Sequence, residues 1–211
     1  MKFIEPKIKI VEDVSFFDMV KSGVYYDSRV SVLPDKKILI ENVTIEGCIF
    51  EKQDFNLVEF KNVDFWDTVF EDCSFSNMDF ADRSFSRCLF KNCKLVGTTF
   101  ENCSFDNVKF LDCSLRYASF FRVRFKNIIF DNVNLDDARF YEIKDCKDLM
   151  FLNSSMNFTE IVKCTFTNID FSSNEIHGFK TDFGSIKSNT FNVEQALMLT
   201  KLLEINIKVD N

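Results

Sequence analysis

The sequence has few of the residues on which most enzyme sites depend. It contains a single histidine, His177, with five glycines and two prolines among 211 residues. One histidine excludes a metal site that uses a pair of histidines, and it means that only His177 could serve as the base of a Ser–His–Asp triad. Five scattered glycines leave little room for a glycine-rich phosphate loop. We therefore predict a protein that is not an enzyme and has no catalytic, cofactor-binding or metal-binding residues.

Long hydrophobic runs are also missing. No stretch approaches the roughly 20 apolar residues of a membrane span, and no N-terminal segment resembles a signal peptide. Eight cysteines without a secretory signal indicate free thiols in a reducing compartment rather than a disulfide framework. These observations predict a cytoplasmic protein without a membrane partner.

The charge is negative and unevenly distributed. The formal net charge is −7 and the isoelectric point is near 4.9, which argues against direct binding to nucleic acid because that requires a basic surface. Residues 38–90 carry 11 acidic and 4 basic side chains, whereas residues 91–142 carry 7 and 8. An acidic surface in the first half of this region is therefore expected to face a basic partner, or only solvent.

Phenylalanine is used far more than any other aromatic residue, with 27 Phe against one Trp and four Tyr. A large apolar residue recurs every five positions, and a helix (period 3.6) or a strand (period 2) cannot keep such residues on one side. A chain that turns a corner once per five residues can. The large residues are Ile40, Ile45, Phe50, Phe55, Phe60, Phe65, Phe70, Phe75, Phe80, Phe85, Phe90, Leu95, Phe100, Phe105, Phe110, Leu115, Phe120, Phe125, Phe130, Leu135 and Phe140.

The remaining positions of each five-residue unit also follow a pattern. A smaller apolar or thiol residue stands two positions before the large one, and this strand spacing directs both inward. Asn or Asp often stands two positions after the large residue, as at Asn62 and Asp72. Such side chains bond nearby backbone groups and tolerate unusual φ and ψ, so they predict the corners. The register places Arg83 inward, where a charged side chain is unfavourable. Either a local bulge lets Arg83 reach solvent, or its guanidinium forms a buried ion pair.

Units such as Cys103-Ser-Phe-Asp-Asn107 and Ala138-Arg-Phe-Tyr-Glu142 resemble the pattern of pentapeptide-repeat proteins. The resemblance implies an all-β fold, a right-handed quadrilateral β-helix with four units per coil. Four units make 20 residues, and Cys73, Cys93 and Cys113 recur at that spacing. We interpret these cysteines as small core residues rather than metal ligands.

The register slips by one residue near 143–150, through a bulge, a small loop or an imperfect unit. The period then continues to Ile176, which gives about seven coils and a length of about 35 Å at about 4.8 Å per coil. We divide the chain into an N-terminal cap (1–37), the β-helix (38–180) and a C-terminal capping and dimerisation segment (181–211).

The C-terminal segment is predicted to contain a helix and a strand. Asn192 and Gln195 form a capping-box pattern, and Ile205, Ile207 and Val209 alternate. This tail resembles the closing segment of the Qnr-type (quinolone-resistance) branch, which implies a homodimer. The expected dimerisation residues are Leu199, Leu202, Leu203, Ile205 and Ile207.

The Qnr-type resemblance further implies a DNA mimic that binds DNA gyrase and topoisomerase IV and protects them from fluoroquinolones. The candidate partner-binding surface is an acidic face with an outward tryptophan. A scaffolding solenoid for another protein is the alternative. The acidic-face residues are Glu51, Glu71, Asp72, Asp112 and Asp131, and the tryptophan is Trp66.

Overall fold

Each five-residue unit forms one side of a four-sided coil in the computed structural model. The structure describes residues 3–10, 12–23, 25–32, 35–203 and 208, without the side chains of residues 31, 202 and 203. The strands are β1 (Glu12–Ser15), β2 (Ser28–Val32), β3 (Ile38–Glu46), β4 (Ile49–Glu51), β5 (Val58–Trp66), β6 (Val69–Glu71), β7 (Ser84–Lys91), β8 (Thr99–Glu101), β9 (Ser104–Leu111), β10 (Ser119–Phe121), β11 (Arg124–Asp131), β12 (Arg139–Tyr141), β13 (Asp145–Leu152), β14 (Glu160–Val162) and β15 (Lys180–Thr181). The helices are α1 (Phe16–Ser22), α2 (Phe183–Ile186) and α3 (Val193–Leu199), with short 3-10 helices at Phe55–Leu57 and Thr200–Leu203.

The strands pair in parallel with residues 20 apart, as the repeat predicts. Phe85 pairs with Phe105, and Phe105 with Phe125. The result is a β-solenoid of about eight turns. The sequence-based count of about seven was too low because the sheet begins before residue 38: β1 pairs with β2, and β2 pairs with β4.

Four walls enclose the core, and each is defined by its column of large inward residues. Wall 1 carries Phe60, Phe80, Phe100, Phe120 and Phe140; wall 2 carries Phe65, Phe85, Phe105 and Phe125; wall 3 carries Phe50, Phe70, Phe90, Phe110 and Phe130; wall 4 carries Phe55, Phe75, Leu95, Leu115 and Leu135. Strands β7, β9, β11 and β13 run through walls 2 and 3, so one sheet continues around that corner. Wall 4 is held by isolated bridges such as Ser74 to Lys94.

Stacked phenylalanine rings fill the interior. The ring centroids of Phe80 and Phe100 lie 5.6 Å apart with an interplanar angle of 6°, and those of Phe110 and Phe130 lie 5.0 Å apart. Rings on adjacent walls meet edge to face, as between Phe80 and Phe85. Both geometries are favourable for aromatic pairs. A uniform stack of this kind explains why one residue type dominates the composition.

The corners use left-handed backbone, which confirms the turn chemistry predicted from Asn and Asp. Asn62, Asp72 and Asn92 have φ values of 51°, 55° and 51°. Several corner amides also bond the corner one coil earlier, as Asn62 Nδ2 does to Asn42 Oδ1 at 3.0 Å. Phe158 adopts the same conformation with φ of 57°, which is uncommon for a bulky side chain.

The register slip near 143–150 is a one-residue insertion within continuous pairing. Ile143 is still fully buried in the inward column, but Asp145 pairs with Arg124 and Cys146 with Phe125, an offset of 21. The extra residue is therefore Lys144. Cys146 takes the place of a large inward residue and is only partly buried.

Arg83 lies at an inward position where the parallel ladder is interrupted. β5 pairs with β7 only through Phe65 and Trp66, and the Ser84 backbone N–H donates to Asp64 Oδ1 at 2.8 Å. Arg83 Nη2 donates to the Phe60 carbonyl at 3.2 Å, while its Nε is buried without a hydrogen-bond acceptor among the described groups. A backbone carbonyl rather than a carboxylate therefore receives this guanidinium.

Helices cover both ends of the core. At the N-terminal end, α1 places the Phe16 ring 5.6 Å from the Phe50 ring. At the other end, Asn192 and Gln195 form the predicted capping box of α3. Gln195 Nε2 also donates to the carbonyls of Phe171 (2.9 Å) and Asn174 (2.7 Å) in the last coil. The division into cap, β-helix and tail stays a prediction.

Candidate interaction surface

The predicted acidic face lies along wall 3 and its corner with wall 4. Glu51 and Glu71 are register partners on β4 and β6, and Lys91 follows them on β7. Asp72 and Asp112 occupy left-handed corner positions two coils apart, and Asp131 ends β11. The fold thus brings Glu51, Glu71 and Asp72 together, with the other two farther along the same edge.

Three of these carboxylates have a cationic partner. Arg29 pairs with Glu51, Lys91 Nζ lies 2.7 Å from Glu71 Oε1, and Lys109 Nζ lies 2.8 Å from Asp131 Oδ2. Exposed ion pairs contribute little to stability, but each cancels one charge of the face. The face is therefore less negative than its acidic residues alone suggest.

The other two carboxylates of the acidic face, Asp72 and Asp112, have amide partners and no cation at ion-pair distance among the described residues. Asn92 Nδ2 donates to Asp72 Oδ1 at 2.5 Å, and Asn132 Nδ2 donates to Asp112 Oδ1 at 2.6 Å. A neutral amide positions a carboxylate without cancelling it. Asp72 and Asp112 therefore remain as anchored negative charges about 10 Å apart, two strand spacings along the edge.

Trp66 does not share the wall of these residues. It ends β5 on wall 2, and its side chain is 44% exposed. The next residue, Asp67, turns the corner into wall 3. A partner that contacts Trp66 together with Glu71 would have to reach around that corner.

Sequence reasoning missed a group of exposed carboxylates on wall 1 and its corner with wall 2, here called the acidic wall: Glu59, Asp79, Asp82 and Glu101. Within the described part of the chain, none of the four has a Lys or Arg at ion-pair distance. Thr99 Oγ1 donates to Asp79, and Asn102 Nδ2 donates to Asp82. Counting outward residues by their place in the 20-residue coil would have found them.

Apolar side chains point outward on wall 3, where polar ones are expected. They are half-buried by their neighbours and follow one column from β4 to β13, with Lys109 as the polar exception. The residues of this apolar column are Ile49, Val69, Leu89, Ile129 and Met150, and Leu111 and Leu152 lie beside it. A flat apolar strip of this kind suits a protein partner better than solvent.

Two grooves flank the C-terminal helices. The groove between wall 4 and α3 has a volume of about 620 Å³ and includes Asp136, Glu175 and His177. His177 is exposed, and its ring meets the Phe158 ring edge-on with centroids 5.6 Å apart. Among the described residues, no group of three or more His, Cys, Asp or Glu side chains is arranged to hold a metal ion. No described helix is long and apolar enough to cross a membrane.

The C-terminal groove between α2 and α3 is mainly apolar. Its volume is about 390 Å³, and its lining includes Phe183, Ile186 and Leu199. Leu199 is half-buried, whereas the side chains of Leu202 and Leu203 and all of Ile205 and Ile207 lie outside the described residues. The dimerisation residues thus stay a prediction.

The geometry defines a class of protein: a four-sided parallel β-solenoid with five residues per side. Residues 63–140 match the family model described as "Pentapeptide repeat region". The chain therefore contains a pentapeptide-repeat region, as the sequence pattern predicted.

Solved structures with this architecture are similar over most of the chain. A trypsin-treated QnrB1, a plasmid-mediated fluoroquinolone resistance protein, shares 18% identity with a TM-score of 0.43 and covers 86% of this chain and 100% of its own. HetL, a pentapeptide-repeat protein involved in heterocyst differentiation regulation from the cyanobacterium Nostoc sp. strain PCC 7120, shares 10% identity with a TM-score of 0.34 and covers 82% and 92%. No curated protein matches the sequence. At these values, similarity carries no argument about function.

Proposed function

We propose that this protein binds DNA gyrase and topoisomerase IV as a mimic of DNA and protects them from fluoroquinolones. The observation that carries the proposal is the set of exposed carboxylates that have no cationic partner among the described residues and are spaced by the coil repeat on a four-sided prism. It consists of the acidic wall together with Asp72 and Asp112. A groove that binds DNA recognises repeated negative charge around a rod, and these carboxylates, on opposite sides of the prism, offer both properties.

The carboxylates are held in place before any partner arrives. Asp79, Asp82, Asp72 and Asp112 each accept a side-chain hydrogen bond from the next coil. Rigid placement lowers the entropy lost on binding. The whole prism is about 38 Å long at about 4.8 Å per turn, which matches roughly one turn of duplex DNA.

In this proposal, the acidic face on wall 3 contributes less to the binding of a basic groove than the acidic wall does. Glu51, Glu71 and Asp131 have cationic neighbours, so their contribution to a basic groove is reduced. QnrB1 is a plasmid-mediated fluoroquinolone resistance protein, and we propose an equivalent protective role here on the basis of the Qnr-like tail sequence. The target enzymes imply a cytoplasmic location.

A homodimer through the C-terminal helices is part of the same proposal. In α3, Val193 is 79% exposed and Leu197 is 46% exposed, and Phe183 of α2 is 61% exposed. Such apolar surface beside an open groove supports pairing with a second copy. Light scattering on the intact chain tests it, because a monomer at micromolar concentration rules out the dimer.

The decisive experiment uses purified gyrase. The protein should inhibit supercoiling at high concentration or relieve inhibition by ciprofloxacin, and either effect should weaken steeply with added salt. A folded protein that changes neither reaction in excess over gyrase would overturn the proposal.

One observation favours the alternative of a scaffold for another protein. The apolar column of wall 3, flanked by ion pairs that cancel the charge at its edge, is a surface for a protein rather than for a DNA-binding groove. No effect on gyrase, together with slower hydrogen exchange of wall 3 in a complex, would support this function.

A further inference from the structure

The N-terminal segment of residues 3–10 lies against the outside of the solenoid as an extended strap. It belongs to no helix or sheet. Along residues 5–10 its side chains alternate in exposure: Pro6, Ile8 and Ile10 are half-buried, whereas Lys7 and Lys9 are exposed. Alternation with a period of two is the signature of an extended chain with one side on a surface.

A buried carboxylate anchors the strap. The backbone N–H of Lys7 donates to Asp67 Oδ1 at 2.8 Å, across 60 residues of sequence. Asp67 is only 3% exposed, and Arg87 holds its carboxylate through Nε (2.7 Å to Oδ1) and Nη2 (2.5 Å to Oδ2). Arg87 thereby fixes the carboxylate so that one oxygen is presented to a backbone donor outside the coil.

The path of the strap follows from the strand register. Glu12 pairs with Ser28, and the same column continues through Cys48 to Thr68, next to Asp67. Three strand spacings of about 4.8 Å therefore separate residue 12 from the level of Asp67, or about 14 Å. Five residues span at most about 17 Å. The chain must run almost straight along the corner between walls 2 and 3, perpendicular to the strands.

The charges along this corner complement the strap. Asp27 and Glu46 lie on its turns before Asp67, whose own charge is balanced by Arg87, and residues 38–90 are the most acidic part of the chain. The strap contributes the positive charges of Lys7 and Lys9 to this acidic corner, and its half-buried side chains are apolar. The apolar column of wall 3 borders the same corner and continues through Ile129 and Met150, beyond the level of Asp67.

We propose that the corner between walls 2 and 3, where Asp67 accepts a backbone hydrogen bond, forms a binding track together with the bordering apolar column. This track binds an extended peptide of alternating apolar and basic residues. Residues 3–10 are its built-in occupant, and a partner protein binds by displacing them with a flexible segment of the same chemistry. The track requires one backbone N–H for Asp67, apolar side chains on one side of the peptide and cations on the other. It does not depend on any activity toward topoisomerases.

The test compares three full-length proteins: wild type, the variant K7A, and a released variant with K7P and I8D. Lys7→Pro removes the backbone N–H that Asp67 accepts, and Ile8→Asp removes an apolar contact, whereas Lys7→Ala leaves the N–H in place. The probe is a fluorescent peptide with the sequence of residues 1–10. Anisotropy should show at least tenfold tighter binding to the released variant than to wild type or K7A, and a peptide with both Ile8 and Ile10 replaced by Asp should bind none of them.

Adding Asp67→Asn to the released variant should abolish the gain, with the melting transition checked because Arg87 loses its partner. Hydrogen exchange on the wild type supplies a measurement that needs no variant. The Lys7 amide should exchange at least tenfold more slowly than in the free peptide. Exchange at the rate of the free peptide, or equal peptide binding by wild type and released variant, would overturn the proposal.

Discussion

The thiol of Cys93 donates a hydrogen bond to the carbonyl oxygen of Phe70, 23 residues earlier, at an Sγ–O distance of 3.3 Å. The same relationship recurs at Thr98 with Phe75 (2.9 Å) and at Cys103 with Phe80 (2.8 Å). A small inward residue that carries a thiol or a hydroxyl therefore satisfies a carbonyl in the preceding coil. This role explains why Cys and Thr alternate with Val and Ala there, and why Arg83 and Gln195 donate to carbonyls at the corresponding places.

Replacing Thr98 by Val should destabilise the solenoid by about 1 kcal/mol, since the side chain keeps its shape but loses the donor to the buried Phe75 carbonyl. Urea unfolding followed by circular dichroism measures the change. Thr44→Val, at an exposed position, is the matched control and should stay within about 0.5 kcal/mol of wild type. Equal effects at both sites would show that the hydrogen bond contributes nothing.

Phe100→Ala should cost about 3–5 kcal/mol, because the Phe100 ring stacks between Phe80 (5.6 Å) and Phe120 (5.0 Å). Phe17→Ala removes an equal volume from a site that is 52% exposed and lies away from the C-terminal groove, and it should change stability by less than about 0.5 kcal/mol. Thermal melts of both variants provide the comparison. A small loss at Phe100 would contradict a continuous stack.

The stability of the protein should fall in acid partly through Asp67. Burial by itself raises the pKa of this carboxyl, but hydrogen bonds from Arg87 and the Lys7 N–H, with the charges of both residues, hold the pKa below its ordinary value. A lowered folded-state pKa means that the stabilisation is complete above about pH 5 and is lost as pH falls below about 4. The difference in melting temperature between wild type and Asp67→Asn should therefore be largest near pH 7 and shrink as the pH is lowered below about 4. A difference that does not change with pH would exclude this linkage.

The thiols should be unreactive until the protein unfolds. Burial raises the pKa of the Cys88 and Cys103 thiols to about 12, so almost no thiolate is present at pH 8. A chromogenic disulfide reagent should label all eight cysteines in denaturant and few in the native state. Rapid labelling of Cys88 in the native protein would mean that the coil opens locally.

Removing charge from the acidic wall should weaken gyrase binding more than removing it from wall 3. Asp79→Asn, Asp82→Asn and Glu101→Gln remove three carboxylates without cationic partners. Glu51→Gln, Glu71→Gln and Asp72→Asn remove three carboxylates of which two are already paired. Inhibition of supercoiling compares the two folded variants. A larger loss of inhibition from the second set would show that gyrase binds the acidic face on wall 3 rather than the acidic wall.

Most of the fold could be predicted from the sequence because the repeat acts locally. Every unit carries its own inward pair and corner residue, so the period, the 20-residue register and a one-residue slip near 143–150 are visible without coordinates. The form of the slip was not predictable, because an extra residue fits a bulge or a loop equally well. Its position at Lys144 follows only from the pairing of Asp145 with Arg124.

The interaction surface was less predictable because its charges depend on long-range neighbours. The pairing of Glu51 with Arg29 requires β2 to lie beside β4. Residues 1–37 contain no repeat from which this strand pairing could be predicted. The anchor of Lys7 on Asp67 depends on the path of a segment without periodicity. By contrast, the acidic wall follows from the coil period and was available to sequence reasoning.

The anchor of the N-terminal strap sets an order of events during synthesis on the ribosome. A solenoid can grow turn by turn, each new coil laid on the one before it. The site for Lys7 is complete only when Asp67 and Arg87 have been translated and folded, and Arg87 follows Lys7 by 80 residues. Residues 3–10 must therefore wait, unattached, until several later turns have folded. A nascent chain stalled before Arg87 would carry a free basic and apolar tail.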